Sequence, residues 1–141
     1  MIINGPNLSL LGSREPDIYG RETLKDIEEM ISLVAEDLGA DTLFFQSNVE
    51  GEIVNKIIEE KDSVDGIIIN AGAYTHTSVA IPDAIKATES VAVEVHLSNI
   101  YRREVERHTS LLSAACIGQV SGFGANSYLL ALRALINELN K

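Results

Sequence analysis

The sequence predicts a doubly wound α/β domain built on a five-stranded parallel sheet, and three observations lead there. Short apolar runs alternate with longer segments of helical periodicity along the whole chain, the order expected of a βα repeat. The middle runs are dense in Val, Ile, Leu or Phe without polar alternation, as strands covered on both faces should be. Right-handed crossovers between consecutive parallel strands then place helices on both faces of one sheet.

Ile2 and Ile3 open the first strand. A polar stretch over 12–20, bounded by glycines, follows as a long loop of the kind that forms lids or binding loops. Leu24, Ile27, Ile31, Val34 and Leu38 recur at helical spacing; Thr23 caps or begins this helix and Gly39 stops it. The second strand is expected over 41–45. A helix carrying Ile53, Val54, Ile57 and Ile58 comes next, and then a third strand over 66–70. Pro82 lies near the start of a helix over 79–87, where its missing N–H does no harm. The fourth strand is expected over 91–95, followed by a short helix with Arg102, Arg103, Glu104 and Arg107. The fifth strand covers 117–120, and a last helix over 125–139 sets Tyr128, Leu132, Leu135 and Leu139 on one stripe. A flavodoxin-like strand order is the usual one for five such strands.

At 141 residues the chain matches one domain, 1–141, against a typical length of about 150. Apolar residues at 45% and charged residues at 23% are the globular average, which excludes a disordered or fibrous chain. Eleven Lys and Arg against 21 Asp and Glu leave a net charge of −10, so no nucleic-acid or anionic-membrane partner is expected. On so acidic a chain, an anion site has to be built from local donors and clustered arginines. Cys116 is the only cysteine, which rules out an intramolecular disulfide and a cysteine-rich metal site. The start of the chain lacks the pattern of a signal peptide, and no run approaches the ~18 apolar residues of a membrane span, so a soluble, cytoplasmic protein is expected.

In a doubly wound sheet, ligands bind outside the carboxyl ends of the strands. There the sequence places Asn4-Gly5-Pro6-Asn7, Gln46-Ser47-Asn48, Asn70 through Ser78, Glu94-Val95-His96-Leu97-Ser98-Asn99, and Gly122-Phe123-Gly124. Each group alone is ordinary turn chemistry; their meeting on one rim is what points to a site. Tyr19 taken singly reads as a ring packed over its loop, but Arg14 five residues earlier sharpens it, because a cation beside a phenol favours the phenolate, a general base. Glu94 and His96 stand two apart on one strand and share a face, so the carboxylate can orient or charge the imidazole as a general acid. His76 follows the third strand on the same rim. Two such histidines without a third ligand or an HExxH spacing make no metal site. There is no GxxxxGK[ST] loop, no dinucleotide fingerprint and no Gly-x-Ser-x-Gly elbow.

Five blocks in fixed order resemble the type II 3-dehydroquinate dehydratases over nearly the whole chain. They are 4–8, 11–20 with Arg14 and Tyr19, 46–51, 70–78 and 94–99. The resemblance implies a cofactor-free enzyme that removes water from 3-dehydroquinate by anti elimination through an enolate, in the shikimate pathway or in quinate breakdown. It implies Tyr19 as base, with Arg14 and the supporting Arg103 favouring its phenolate. Asn7 would hold a water against the enolate oxygen, and His96, backed by Glu94, would protonate the departing hydroxyl. Asn70, the backbone of Leu97 and Ser98 would take the carboxylate, and His76 and Arg107 the ring hydroxyls. Asp83 would reach a neighbouring subunit's site in a homododecamer built from trimers. The chain departs from the family's usual residues at Pro82 and Glu106, where arginine and an aromatic are usual, and at Asn126-Ser127. The rival readings are another enolate-forming lyase or isomerase, a flavodoxin-like binding module, and an inactive oligomeric scaffold.

Overall fold

A computed structural model describes residues 1–141. Its strands are β1 (Ile2–Asn4), β2 (Phe44–Gln46), β3 (Ile67–Asn70), β4 (Ala92–His96) and β5 (Gly118–Ser121), and its helices are α1 (Pro16–Tyr19), α2 (Leu24–Asp37), α3 (Glu50–Glu59), α4 (Ala80–Ala87) and α5 (Asn126–Leu139). All strand pairs are parallel, in the order β2-β1-β3-β4-β5, which is the flavodoxin-like order.

The alternation of side chains across the pleat splits the core in two. Ile2, Ile68, Val93 and Val95 face α2 and α5 and pack on Ile27, Ile31, Tyr128, Leu132 and Leu135. Ile3, Ile67, Ile69 and Ala92 face the other way, onto Ile53 and Ile57 of α3 and Ile81 and Ile85 of α4. The helices thus cover both faces, which is why the central strands carry no polar alternation.

Thr23 resolves as the N-cap of α2 rather than its first residue. Its Oγ1 accepts the Asp26 amide at 3.1 Å, while Asp26 Oδ2 accepts the Thr23 amide at 2.8 Å. Thr23→Ala is expected to cost about 1 kcal/mol in stability, read as a lower midpoint in urea at unchanged slope. Gly39, with φ +70°, ends that helix as expected.

Three expectations are corrected. The second strand is Phe44–Gln46 rather than 41–45, because its only partner is the three-residue β1, whose register pairs Ile2 with Phe44 and Asn4 with Gln46. The helix expected around Arg102 to Arg107 is instead two 3-10 turns, Ile100–Arg102 and Val105–Arg107. Between them Arg103 is extended, at φ −105° and ψ −168°. The β4 to β5 connection, with a third such turn at Ser113–Ala115, therefore carries no α-helix, and the rule of one helix after every strand fails there. Finally, the loop over 12–20 contains the single turn α1, begun by Pro16 and preceded by Glu15 in the left-handed region at φ +38°.

Candidate active site

The carboxyl ends of β1, β3 and β4 lie side by side, with Asn4 in register with Asn70 and Ile69 with Glu94. Immediately beyond them the β1 and β3 loops touch: the Gly5 amide donates to Asn70 O at 2.7 Å. A Cβ at Gly5 would sit 2.4 Å from Ala71 O, so only glycine permits this approach. Asn7 then turns back in the left-handed region at φ +68°, its amide held by Asn48 Oδ1 at 3.0 Å.

A buried polar bridge ties these strand ends to α5. Tyr128 is fully buried; its hydroxyl donates to Asn4 Oδ1 at 2.5 Å and accepts from Asn70 Nδ2 at 3.0 Å. Asn70 Oδ1 in turn accepts the Gly72 amide at 3.2 Å, so the side chain of Asn70 is locked from two sides. Burial pushes the Tyr128 hydroxyl above the usual phenol range, which keeps it a neutral donor.

One cleft opens above these ends, and its walls include Asn7, Arg14, Tyr19, Asn70, His76, His96, Leu97, Ser98, Arg103 and Arg107. The Tyr19 hydroxyl receives a hydrogen bond from Arg103 Nη1 at 2.7 Å. The guanidinium carbons of Arg14 and Arg103 each stand 5.2 Å from the centre of the Tyr19 ring. Arg103 is thus the cation bonded to the phenolic oxygen, while Arg14 lies over the ring. Glu104 Oε2 organises the arginines, lying 3.0 Å from Arg107 Nε and 3.7 Å from Arg103 Nε. A backbone hydrogen bond, and then the two guanidiniums, hold its carboxyl below the usual range.

His96 and Glu94 leave β4 on the same face, as their spacing predicts, and His96 Nε2 lies 2.6 Å from Glu94 Oε1. The Glu94 side chain is 0% exposed and that of His96 7%, so the contact is shielded from water. With an ionised carboxylate there, Nε2 carries the shared proton and Nδ1 is left for the cleft that His96 lines. His76 is anchored through Nδ1 to Thr109 O at 2.8 Å. No group of three or more His, Cys, Asp or Glu side chains is placed to hold a metal ion.

Of the residues expected at the site, Glu94 stands directly behind His96, and Asp83 is the one set apart. It is exposed on α4 and does not line the cleft of its own chain. Pro6, Leu8, Gly72 and Ala73, all within the rim segments read from the sequence, and Ile100, which the sequence did not mark, complete the walls. Tyr128 was visible only as a member of the apolar stripe on the last helix; nothing local distinguished its hydroxyl from a core ring's.

Cys116 lies half-buried beside this region, and burial together with the Glu94 carboxylate pushes its thiol up to about 12. Alkylation at about pH 8 is therefore expected to run at least about 100-fold slower on the folded protein than on the urea-unfolded chain, followed by mass spectrometry.

Strand order, and a rim where phenol, imidazole, carboxylate and guanidinium groups meet, place the protein among the flavodoxin-like α/β proteins with an acid–base cleft. The family model for class II dehydroquinases matches residues 1–136. A 3-dehydroquinate dehydratase of Prochlorococcus marinus is 55% identical over 141 residues, covering 100% of this chain and 97% of the relative. One from Caldicellulosiruptor saccharolyticus is 57% identical over 136 residues, covering 96% and 94%. The crystal structure of the type II dehydroquinase of Butyrivibrio crossotus superposes with a TM-score of 0.93 at 43% identity, covering 95% of this chain and 94% of that one. The chain belongs to the class II dehydroquinase family.

Proposed function

We propose that the protein is a hydro-lyase that removes water from 3-dehydroquinate to give 3-dehydroshikimate, acting as a single catalytic domain over 1–141. The observation that carries this reading is that one cleft presents Tyr19 bonded to Arg103 and, on β4, His96 backed by the buried Glu94. Elimination of a hydroxyl β to a ketone needs one group to take a carbon-bound proton and another to give a proton to the leaving oxygen.

Tyr19, as phenolate, takes the proton from the carbon next to the ketone. The Arg103 hydrogen bond and the Arg14 guanidinium favour negative charge on that oxygen. The electron pair left behind moves onto the ketone oxygen as an enolate. A water held by Asn7 donates to that oxygen, where a preorganised donor counts most because charge develops there. The enolate then collapses, the carbon–oxygen bond breaks anti to the lost proton, and His96 protonates the departing hydroxyl to release water. Glu94 stabilises the imidazolium before that transfer. Asn70, the Leu97 backbone and Ser98 take the substrate carboxylate, and His76 and Arg107 its ring hydroxyls. Arg14, Arg103 and Arg107 supply positive potential on a chain of net charge −10.

Asp83, exposed on α4, reaches the cleft of a neighbouring subunit in a homododecamer of trimers, and the enzyme works in the cytoplasm. The test is the ultraviolet absorbance of the conjugated enone as purified protein meets 3-dehydroquinate with a metal chelator present. Steady growth of the signal is expected; no signal from a folded protein sinks the assignment.

A further inference from the structure

Glu94 is a fully buried carboxylate, and a buried charge is tolerated only when its oxygens are well supplied with donors. His96 supplies one. The other side-chain donor comes from Ser110, in the loop that replaces the expected helix between β4 and β5. Its Oγ lies 2.8 Å from Glu94 Oε1 and 3.0 Å from Oε2. The Ser110 oxygen itself accepts the amides of Leu112 at 3.2 Å and Ser113 at 3.0 Å. A hydroxyl has one proton and two lone pairs. With both lone pairs engaged by backbone amides, its proton has one direction left, toward Glu94.

The backbone around Ser110 is also pinned: the Leu111 amide donates to Thr75 O at 2.9 Å, and Thr109 O holds His76 Nδ1 at 2.8 Å. Two consecutive residues, Thr109 and Ser110, thus orient both histidines of the cleft, one through a carbonyl and one through Glu94. We infer that Ser110 is a positioning residue for the acid step. It fixes the Glu94 carboxylate so that the proton on His96 Nε2 stays there, and Nδ1 is the nitrogen that gives its proton to the leaving hydroxyl. The inference rests on His96 being the acid of the proposed dehydration.

The test is a double-mutant cycle with Ser110→Ala and Glu94→Gln. Alone, Ser110→Ala is expected to lower kcat on the order of 10-fold, since the lost bond is to a charged group, while KM stays within about twofold. Ser110→Thr, which keeps the hydroxyl, is expected to recover most of that loss. In the Glu94→Gln background the same Ser110→Ala change should alter kcat less than about twofold, because its target carboxylate is gone. An equal loss in both backgrounds, or a loss confined to KM, overturns the inference in favour of a purely structural serine. Should Ser110→Ala fail to fold, Ser110→Cys, a weaker donor at the same place, carries the same expectation.

A second readout does not depend on turnover. The His96 Nε2 proton is expected as a slowly exchanging downfield NMR resonance in the wild type that exchanges faster in Ser110→Ala. An unchanged resonance refutes the positioning role. Its loss in a protein that does not dehydrate 3-dehydroquinate leaves Ser110 in place and refutes the proposed reaction instead.

Discussion

Tyr19→Phe is expected to reduce kcat by about 10²–10⁴-fold, the span that a positioned general base contributes, with KM nearly unchanged. The substitution removes one oxygen and leaves the ring, with the Arg14 and Arg103 guanidiniums each 5.2 Å from its centre. The packing of α1 therefore survives, and the loss falls on the proton transfer. Arg103 Nη1 loses its 2.7 Å acceptor but stays anchored beside Glu104. The measurement is initial enone absorbance at saturating 3-dehydroquinate, with circular dichroism to confirm the fold. A variant that keeps more than about a tenth of the wild-type kcat would remove Tyr19 from the role of base.

His96→Ala is expected to lower kcat by a similar factor, about 10²–10⁴-fold, and also to destabilise the protein by about 3–5 kcal/mol. The two effects have one origin. Glu94 is 0% exposed and loses its 2.6 Å partner, so the variant retains a buried charge with Ser110 as its remaining side-chain donor. Glu94→Gln separates the effects, because it removes the charge: activity falls while most of the stability remains. Urea unfolding alongside kinetics on both variants tests this. A His96→Ala protein as stable as the wild type would mean that Glu94 does not need its partner, and the dyad would lose its physical basis.

Much of the fold was legible because its signals are local. The apolar runs of β3 and β4, the spacing of Leu24, Ile27 and Ile31 in α2, and Thr23 at the start of that helix are each carried by residues close together in the chain. The misplaced β2 shows where local reading stops. The 41–45 run is apolar enough for a strand, but an edge strand extends only as far as its single partner, and β1 has three residues. The stretch carrying Arg102, Arg103, Glu104 and Arg107 departs from the expected helix for a related reason. Its charges suit a helix surface, yet Arg103 is drawn into extended backbone, from which its side chain reaches Tyr19.

By itself the sequence determined the βα alternation as far as β4, the two faces of the central strands, and the shared face of Glu94 and His96, since these follow from the local pattern of side chains along strands and helices. The tertiary structure decided which groups meet. Arg103 joins Tyr19 across 84 residues, Tyr128 joins Asn4 across 124, and Ser110 reaches Glu94 across 16 from a loop with no helical or strand period. Such pairings depend on strand order and crossover path, which bring distant strand ends to one rim, and no local pattern of side chains encodes that distance.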